Sequence, residues 1–480
     1  MLDSAPTPPL PVTVAEGFAA LDHAHQHLIA AEVAEVIALA HLTDVYRIDE
    51  DAVQAGMEDL VQPGADGTPS IGEFLALEIG ALLGISLVSA MGRLADVLNV
   101  RHRHPALWEA VLDGRVRWWQ AADAAGRAQH LSAPAAALLD RKLAHSMALM
   151  PWARVLRSLD GWILAADPQT AADAEARHRS ERKVVLNQIR DGHIEIWGRL
   201  APADALAFDQ AINEIAKAMP AHLAPADPYI ADLPAEALAK VDLQTRRAAA
   251  VGELARRTFG QDTLPTHQLV VHITASDPWL TGIPSPALEV LPDGSATGIA
   301  RVERWGHLPT DRLRELLADS RVIVRPVLDP NSIPVVDQHD PTDLMRLAME
   351  LRNPVDVFPY GTRVARGCDA DHTQPYVDAG PRGQTSMDNL GPLWRFTHRG
   401  KTHGGWRLTQ PEPGVFHWRS PAGYEYLVTA HGTTRISAPQ PVGEPDPPVL
   451  PGGDDPPPDD PAWDRLPDRA SPLPLLTLAT

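Results

Sequence analysis

The sequence predicts a mainly α-helical protein with a minor β component, and three observations carry that expectation. Residues 17–42 and 134–150 are rich in alanine, leucine and valine, with polar residues at helical spacing. Alternating, β-branched runs are short and few; the clearest are 184–188 and 193–200, parted by the turn pair Asp191-Gly192. Hydrophobic residues make up 44% and charged residues 22% of the 480, enough apolar content for a real core.

Residues 14–330 read as one mainly helical domain. Its most apolar stretch, 74–98, is interrupted by Glu78, Gly80, Gly84 and Arg93, which predicts two packed helices rather than a membrane span. Gly84 suits a helix C-cap, and Ser86 suits the N-cap of the next helix. The break loosely resembles a DNA-binding helix-turn-helix. The second helix would offer only Arg93 to a nucleic acid, so an ordinary helical hairpin accounts for it better. Trp118 and Trp119 are expected in the core rather than as a base-stacking platform.

Residues 203–219 and 243–259 return to helix. Between them, Pro220, Pro225, Pro228 and Pro234 make 220–234 a loop. Segments 269–275 and 322–328 read as buried strands. A connector rich in proline and aspartate, 329–342, is the main expected boundary, and a short helix at 344–351 opens a C-terminal module spanning 343–434. Residues 437–480, with Pro456-Pro457-Pro458 among glycines and aspartates, bury too little surface to fold and are expected to be disordered.

The net charge of −20 argues against a general polyanion binder. Residues 363–407 nevertheless carry seven lysines and arginines against four aspartates, which leaves room for a local nucleic-acid site. The one cysteine, Cys368, excludes an intramolecular disulfide and a multi-cysteine zinc site, and reads as a small buried residue. A reducing cytoplasm is the expected setting; residues 1–14 show neither the basic nor the apolar region of a signal peptide, and no membrane association is expected. Nothing in the sequence fixes the oligomeric state.

The chemistry concentrates between Asp371 and Lys401. On a strand, the adjacent Asp371 and His372 face opposite ways, so one can bind a metal while the other faces a water. Asn389 can order the loop between them and the next cluster, where His398 supplies a second imidazole. A divalent metal held by Asp371 and His398 suits phosphodiester hydrolysis, with His372 as general base. Arg395, Arg399 and Lys401 would hold the phosphate backbone of DNA. His403 is expected to be exposed.

The pattern Asp371-His372, Gly383, Thr385, Asn389-Leu390, His398, Lys401 and Gly404-Gly405-Trp406 resembles the C-terminal HNH endonuclease module of the actinobacterial 13E12-repeat proteins. Gln410-Pro411, Pro413-Gly414, Trp418, Ser420-Pro421 and Gly423 extend the likeness, and alanine-rich segments before residue 330 resemble that family's large helical domain of unknown function. The resemblance implies a ββα-metal fold, Asp371 and His398 as metal ligands, His372 as general base and Asn389 as the residue that orders the loop and positions it. Mg or Mn is the implied metal, with Zn or Ni as alternatives. Family members commonly also hold a structural zinc, but its four ligand positions fall here on Asp356, Gly361, Trp394 and Thr397, so no structural zinc is expected. Packing by Phe358, Trp394 and Phe396 would take its place. A second reading is a catalytically degenerate HNH protein that binds DNA or another protein.

Overall fold

The computed structural model describes residues 12–48, 50–168, 182–190, 193–219, 242–259, 271–272, 299–302, 306–309 and 333–437. Their fold is mainly α with a minor β component. Contacts divide the chain into two compact units, Met1–Ala172 with Val327–Thr480, and Asp173–Pro326. This grouping crosses the linear division expected at 329–342, because the first helices share a core with the C-terminal module.

The first unit opens with α1 (Val14–Val45), started by a capping box between Thr13 and Glu16, and α2 (Glu50–Gln54). A short antiparallel pair, β1 (Leu60–Val61) and β2 (Ile71–Gly72), leads into α3 (Leu75–Leu83) and α4 (Leu87–Arg103). Gly84 ends α3 in the left-handed conformation, φ 68°, which glycine adopts without steric cost. Ser86 then caps α4 by accepting from the Ser89 amide at 3.2 Å. The two helices meet at 108°, and Leu94, Val97 and Leu98 are fully buried. The apolar stretch is therefore a helical hairpin of the core. Among the described residues no single helix is long and apolar enough to cross a membrane.

Four further helices complete this part: α5 (Pro105–Leu112), α6 (Trp118–Arg127), α7 (Ala133–Leu149) and α8 (Trp152–Ala166). Small buried residues such as Ala110, Ala121, Ala124 and Ala136 let their backbones approach, with Leu107, Leu143 and Leu159 filling the space between. Asp140 of α7 accepts from the Ala106 and Leu107 amides at 2.8 and 2.9 Å, satisfying donors at the start of α5. Trp118 packs on this core as expected. Trp119 does not: it is 49% exposed and meets Trp152 edge-on.

In the second unit, β3 (Lys183–Arg190) and β4 (His193–Arg199) pair antiparallel, as the alternating runs predict. With β5 (Val271–His272), β6 (Ile299–Val302) and β7 (Gly306–Pro309) they form a sheet ordered β4-β3-β7-β6-β5. Helices α9 (Pro202–Ala218) and α10 (Leu243–Phe259) pack through Ile212, Ala216 and Ala250. The expected loop at 220–234, the strand at 322–328, the turn at 191–192 and the tail from 438 lie outside the described residues, as does most of 269–275.

The first unit resumes with α11 (Asp343–Arg352), β8 (Asp369–His372), β9 (Leu390–Leu393) and α12 (Arg395–Thr402). A four-stranded meander follows: β10 (Arg407–Glu412), β11 (Val415–Arg419), β12 (Glu425–Thr429) and β13 (Gly432–Ser437). Its inward-facing Phe416, Trp418 and Tyr426 share one core with Phe358, Phe396 and Trp406, and with Phe74, Leu77 and Ala81 of the N-terminal part. The rings of Phe74 and Phe396 meet at 5.9 Å. Gly400 permits the close approach of α12 to α3, since a Cβ there would run into the Leu77 side chain.

Candidate metal centre

Strand β8 pairs with β9 in register His372 to Leu390 and Asp369 to Leu393, and α12 follows one residue later. Alternation on the strand puts Asp369 and Asp371 on one face and His372 on the other. Three-residue spacing on α12 puts Arg395, His398 and Lys401 along one side of the helix. The two patterns interlock. Arg395 binds Asp369 with two hydrogen bonds of 2.6 and 2.9 Å, His398 Nε2 lies 2.9 Å from Asp371 Oδ1, and Lys401 Nζ lies 2.6 Å from Asp371 Oδ2. The Lys401 ammonium also donates to the His372 carbonyl at 2.7 Å.

Burial and charge oppose each other throughout this ladder. Burial pushes the Asp371 carboxyl up, but Lys401 and His398 outweigh it and hold the group below the ordinary range. The same holds for Asp369, where His398 and Arg395 outweigh burial. Burial would lower the pKa of His398, yet Asp369 and Asp371 raise it to about 9. His398 Nδ1 is buried, 4.0 Å from Asp369 Oδ2, and makes no hydrogen bond.

His372 is buried on the opposite face, its Nε2 lying 2.9 Å from Thr385 Oγ1. Its ring packs against those of His339, at 5.3 Å, and Tyr376, at 5.7 Å. Asn389 uses its side-chain amide on the intervening loop. It accepts from the Gln374 amide at 2.7 Å and donates to the carbonyls of Gln374 and Gln384 at 3.0 and 2.9 Å. All three bonds are to the backbone of the loop that precedes it.

The three cations expected to hold phosphate are each turned onto a carboxylate. Arg395 and Lys401 complete the ladder, and Arg399 reaches away from it to the buried Glu73 at 2.9 Å. The reason is local: in a face this crowded with aspartate, an inward ion pair satisfies both partners. Burial, offset in part by Arg399, pushes the Glu73 carboxyl up to about 7. His403 is half-buried rather than exposed. Cys368 is half-buried, and burial, followed by the charge of Asp356, pushes its thiol up, away from nucleophilic character.

Asp371 and His398 present a hard oxygen and an imidazole nitrogen side by side, and these donors fit a divalent cation that keeps much of its water, as Mg or Mn does. Among the described residues no group of three or more His, Cys, Asp or Glu is arranged around one metal position. The expected zinc positions offer a different link. Asp356 is buried, accepts from the Phe358 amide at 3.0 Å, and lies 3.2 Å from Thr397 Oγ1. Phe358 and Phe396 belong to the shared aromatic core, and the half-buried Trp394 packs against it.

Sequence reasoning missed Asp369 and Glu73 as members of the site, and named Thr385 only within the pattern of the resemblance, without a role. The first had a readable signal: carboxylates two apart on a strand facing cations three apart on a helix. Glu73 had none, being more than three hundred residues from Arg399.

Fold and site together define a mainly α-helical protein with a buried carboxylate–imidazole–ammonium ladder on a strand–strand–helix unit. A family model described as "Domain of unknown function (DUF222)" matches residues 51–341, more than half of the chain, and the chain belongs to that family. The match ends before β8, β9 and α12. No curated protein and no solved structure matches the chain.

Proposed function

We propose that the protein is a metal-dependent HNH-type endonuclease of the 13E12-repeat kind, hydrolysing DNA phosphodiester bonds. The observation that carries this reading is the 2.9 Å approach of Asp371 Oδ1 to His398 Nε2, with His372 the next residue on the same strand. Asp371 and His398 would hold one divalent ion, Mg or Mn in preference to Zn or Ni, which would stabilise charge on the phosphate and the departing oxygen. His372 takes the proton of the attacking water. Asn389 keeps the 373–389 loop ordered around it. The single half-buried cysteine suits a reducing compartment, the cytoplasm.

A second reading draws support from Lys401. Its ammonium already neutralises Asp371, and Arg395 and Arg399 are also held by carboxylates. A catalytically degenerate module that binds DNA or protein is consistent with those pairings. Plasmid DNA incubated with the full chain separates the two. The nuclease reading expects nicking with Mg²⁺ or Mn²⁺ that stops with chelator and in Asp371→Asn. Salt-sensitive DNA binding without nicking would favour the second reading and overturn the first.

A further inference from the structure

The Thr385 hydroxyl is fully buried and sits among three partners: Gln338 O at 2.6 Å, His339 O at 3.3 Å and His372 Nε2 at 2.9 Å. A hydroxyl has one hydrogen to donate, and both carbonyls can only accept. The shortest contact, to Gln338 O, takes that hydrogen. The oxygen lone pair that remains faces His372 Nε2, so this nitrogen must carry a hydrogen and donate it. In the neutral ring, Nδ1 is then the basic nitrogen.

We propose that Thr385 is a positioning residue that fixes His372 as its Nε2–H tautomer, with residues 333–342 acting as the clamp that orients Thr385. The clamp is built by more than one contact. Val336 donates to Thr385 O at 3.0 Å, and Asp337 accepts from the Gly383 amide at 2.7 Å. Ile333 and Val336 pack against a cluster containing Met345, Met387 and Leu390. Residues up to 341 lie inside the DUF222 match, so the family domain supplies the carbonyl that sets the proton position on the module's His372. On the nuclease reading Nδ1 is the atom that receives the water proton; that consequence rests on the reading, whereas the tautomer does not.

Nitrogen NMR of the full chain labelled at histidine tests this, with His372→Ala assigning the resonances. With the ring neutral, His372 should show a protonated Nε2 and an unprotonated Nδ1. Thr385→Val, which keeps the shape and removes the hydroxyl, should lose that preference, and Thr385→Ser should restore it. On plasmid DNA the valine variant should lower kcat about 10- to 100-fold at an unchanged KM, with rescue by serine. An Nδ1–H tautomer in the wild-type chain, or the same tautomer in the valine variant, overturns the role of Thr385. Wild-type nicking that the valine variant matches also overturns it and leaves the nuclease reading intact. The expected tautomer, lost in the valine variant, in a chain that nicks nothing supports the role and removes the nuclease reading instead.

Discussion

Thr397 Oγ1 lies 3.2 Å from a carboxylate oxygen of Asp356, joining two of the four positions where the HNH resemblance expects zinc ligands. The same hydroxyl reaches Trp394 O at 2.8 Å, and burial pushes the Asp356 carboxyl up to about 6. A third expected ligand position, Gly361, packs so tightly that a Cβ would stand 2.5 Å from Asp356 O. Two of these positions are thus tied to each other by a polar contact, and a third is closely packed against one of them. Thr397→Ala leaves a buried carboxyl short of a partner and should cost about 1–3 kcal/mol in urea denaturation. Chelator should leave the wild-type midpoint unchanged.

Arg399 and Glu73 tie α12 to the N-terminal helices across a buried pair. Arg399→Ala strands the carboxyl of a residue with no exposed surface, and should destabilise by about 3–5 kcal/mol in denaturant titration. Adding Glu73→Gln should recover much of that loss. A variant that only weakened DNA binding, with stability intact, would place Arg399 at the phosphate instead.

The C-terminal module should not fold by itself. Phe74 and Leu77 are buried among its aromatic residues, so Phe74→Ala should cost about 3–5 kcal/mol. A fragment limited to 333–437 should show molten rather than cooperative unfolding by calorimetry. Cooperative unfolding of that fragment near the wild-type midpoint would make the shared core dispensable.

His104 predicts an acid limit. The ring is fully buried without a hydrogen bond, and burial, then the charge of Arg103, lowers its pKa from 6.5 to about 4. The unfolded chain binds this proton first. Stability tied to a neutral His104 is therefore complete above about pH 6.5 and falls as pH drops toward 4. His104→Leu should flatten the stability profile across that window and leave the region above it unchanged.

Much of the local structure was legible because local physics decides it. Gly84 and Ser86 mark a helix break by conformational freedom and capping, and the alternating runs 184–188 and 193–200 mark the β3–β4 pair. Asp371, His372, Asn389 and His398 stood out because their chemistry and spacing are distinctive. What stayed hidden depends on distant parts of the chain. The pairing of Arg399 with Glu73, the burial of Phe74 under the module and the reach of Gln338 to Thr385 have no sequence-local signature. Trp119 was misplaced for a related reason: an aromatic on a helix buries only if the helix turns that face inward.

The most direct measurement compares Mn²⁺-dependent nicking of supercoiled plasmid by the wild-type chain and by His372→Ala, each shown to unfold at the same midpoint. Nicking by the wild type that disappears in His372→Ala is the expected result. Equal conversion by both proteins would contradict an HNH nuclease built on Asp371, His372 and His398.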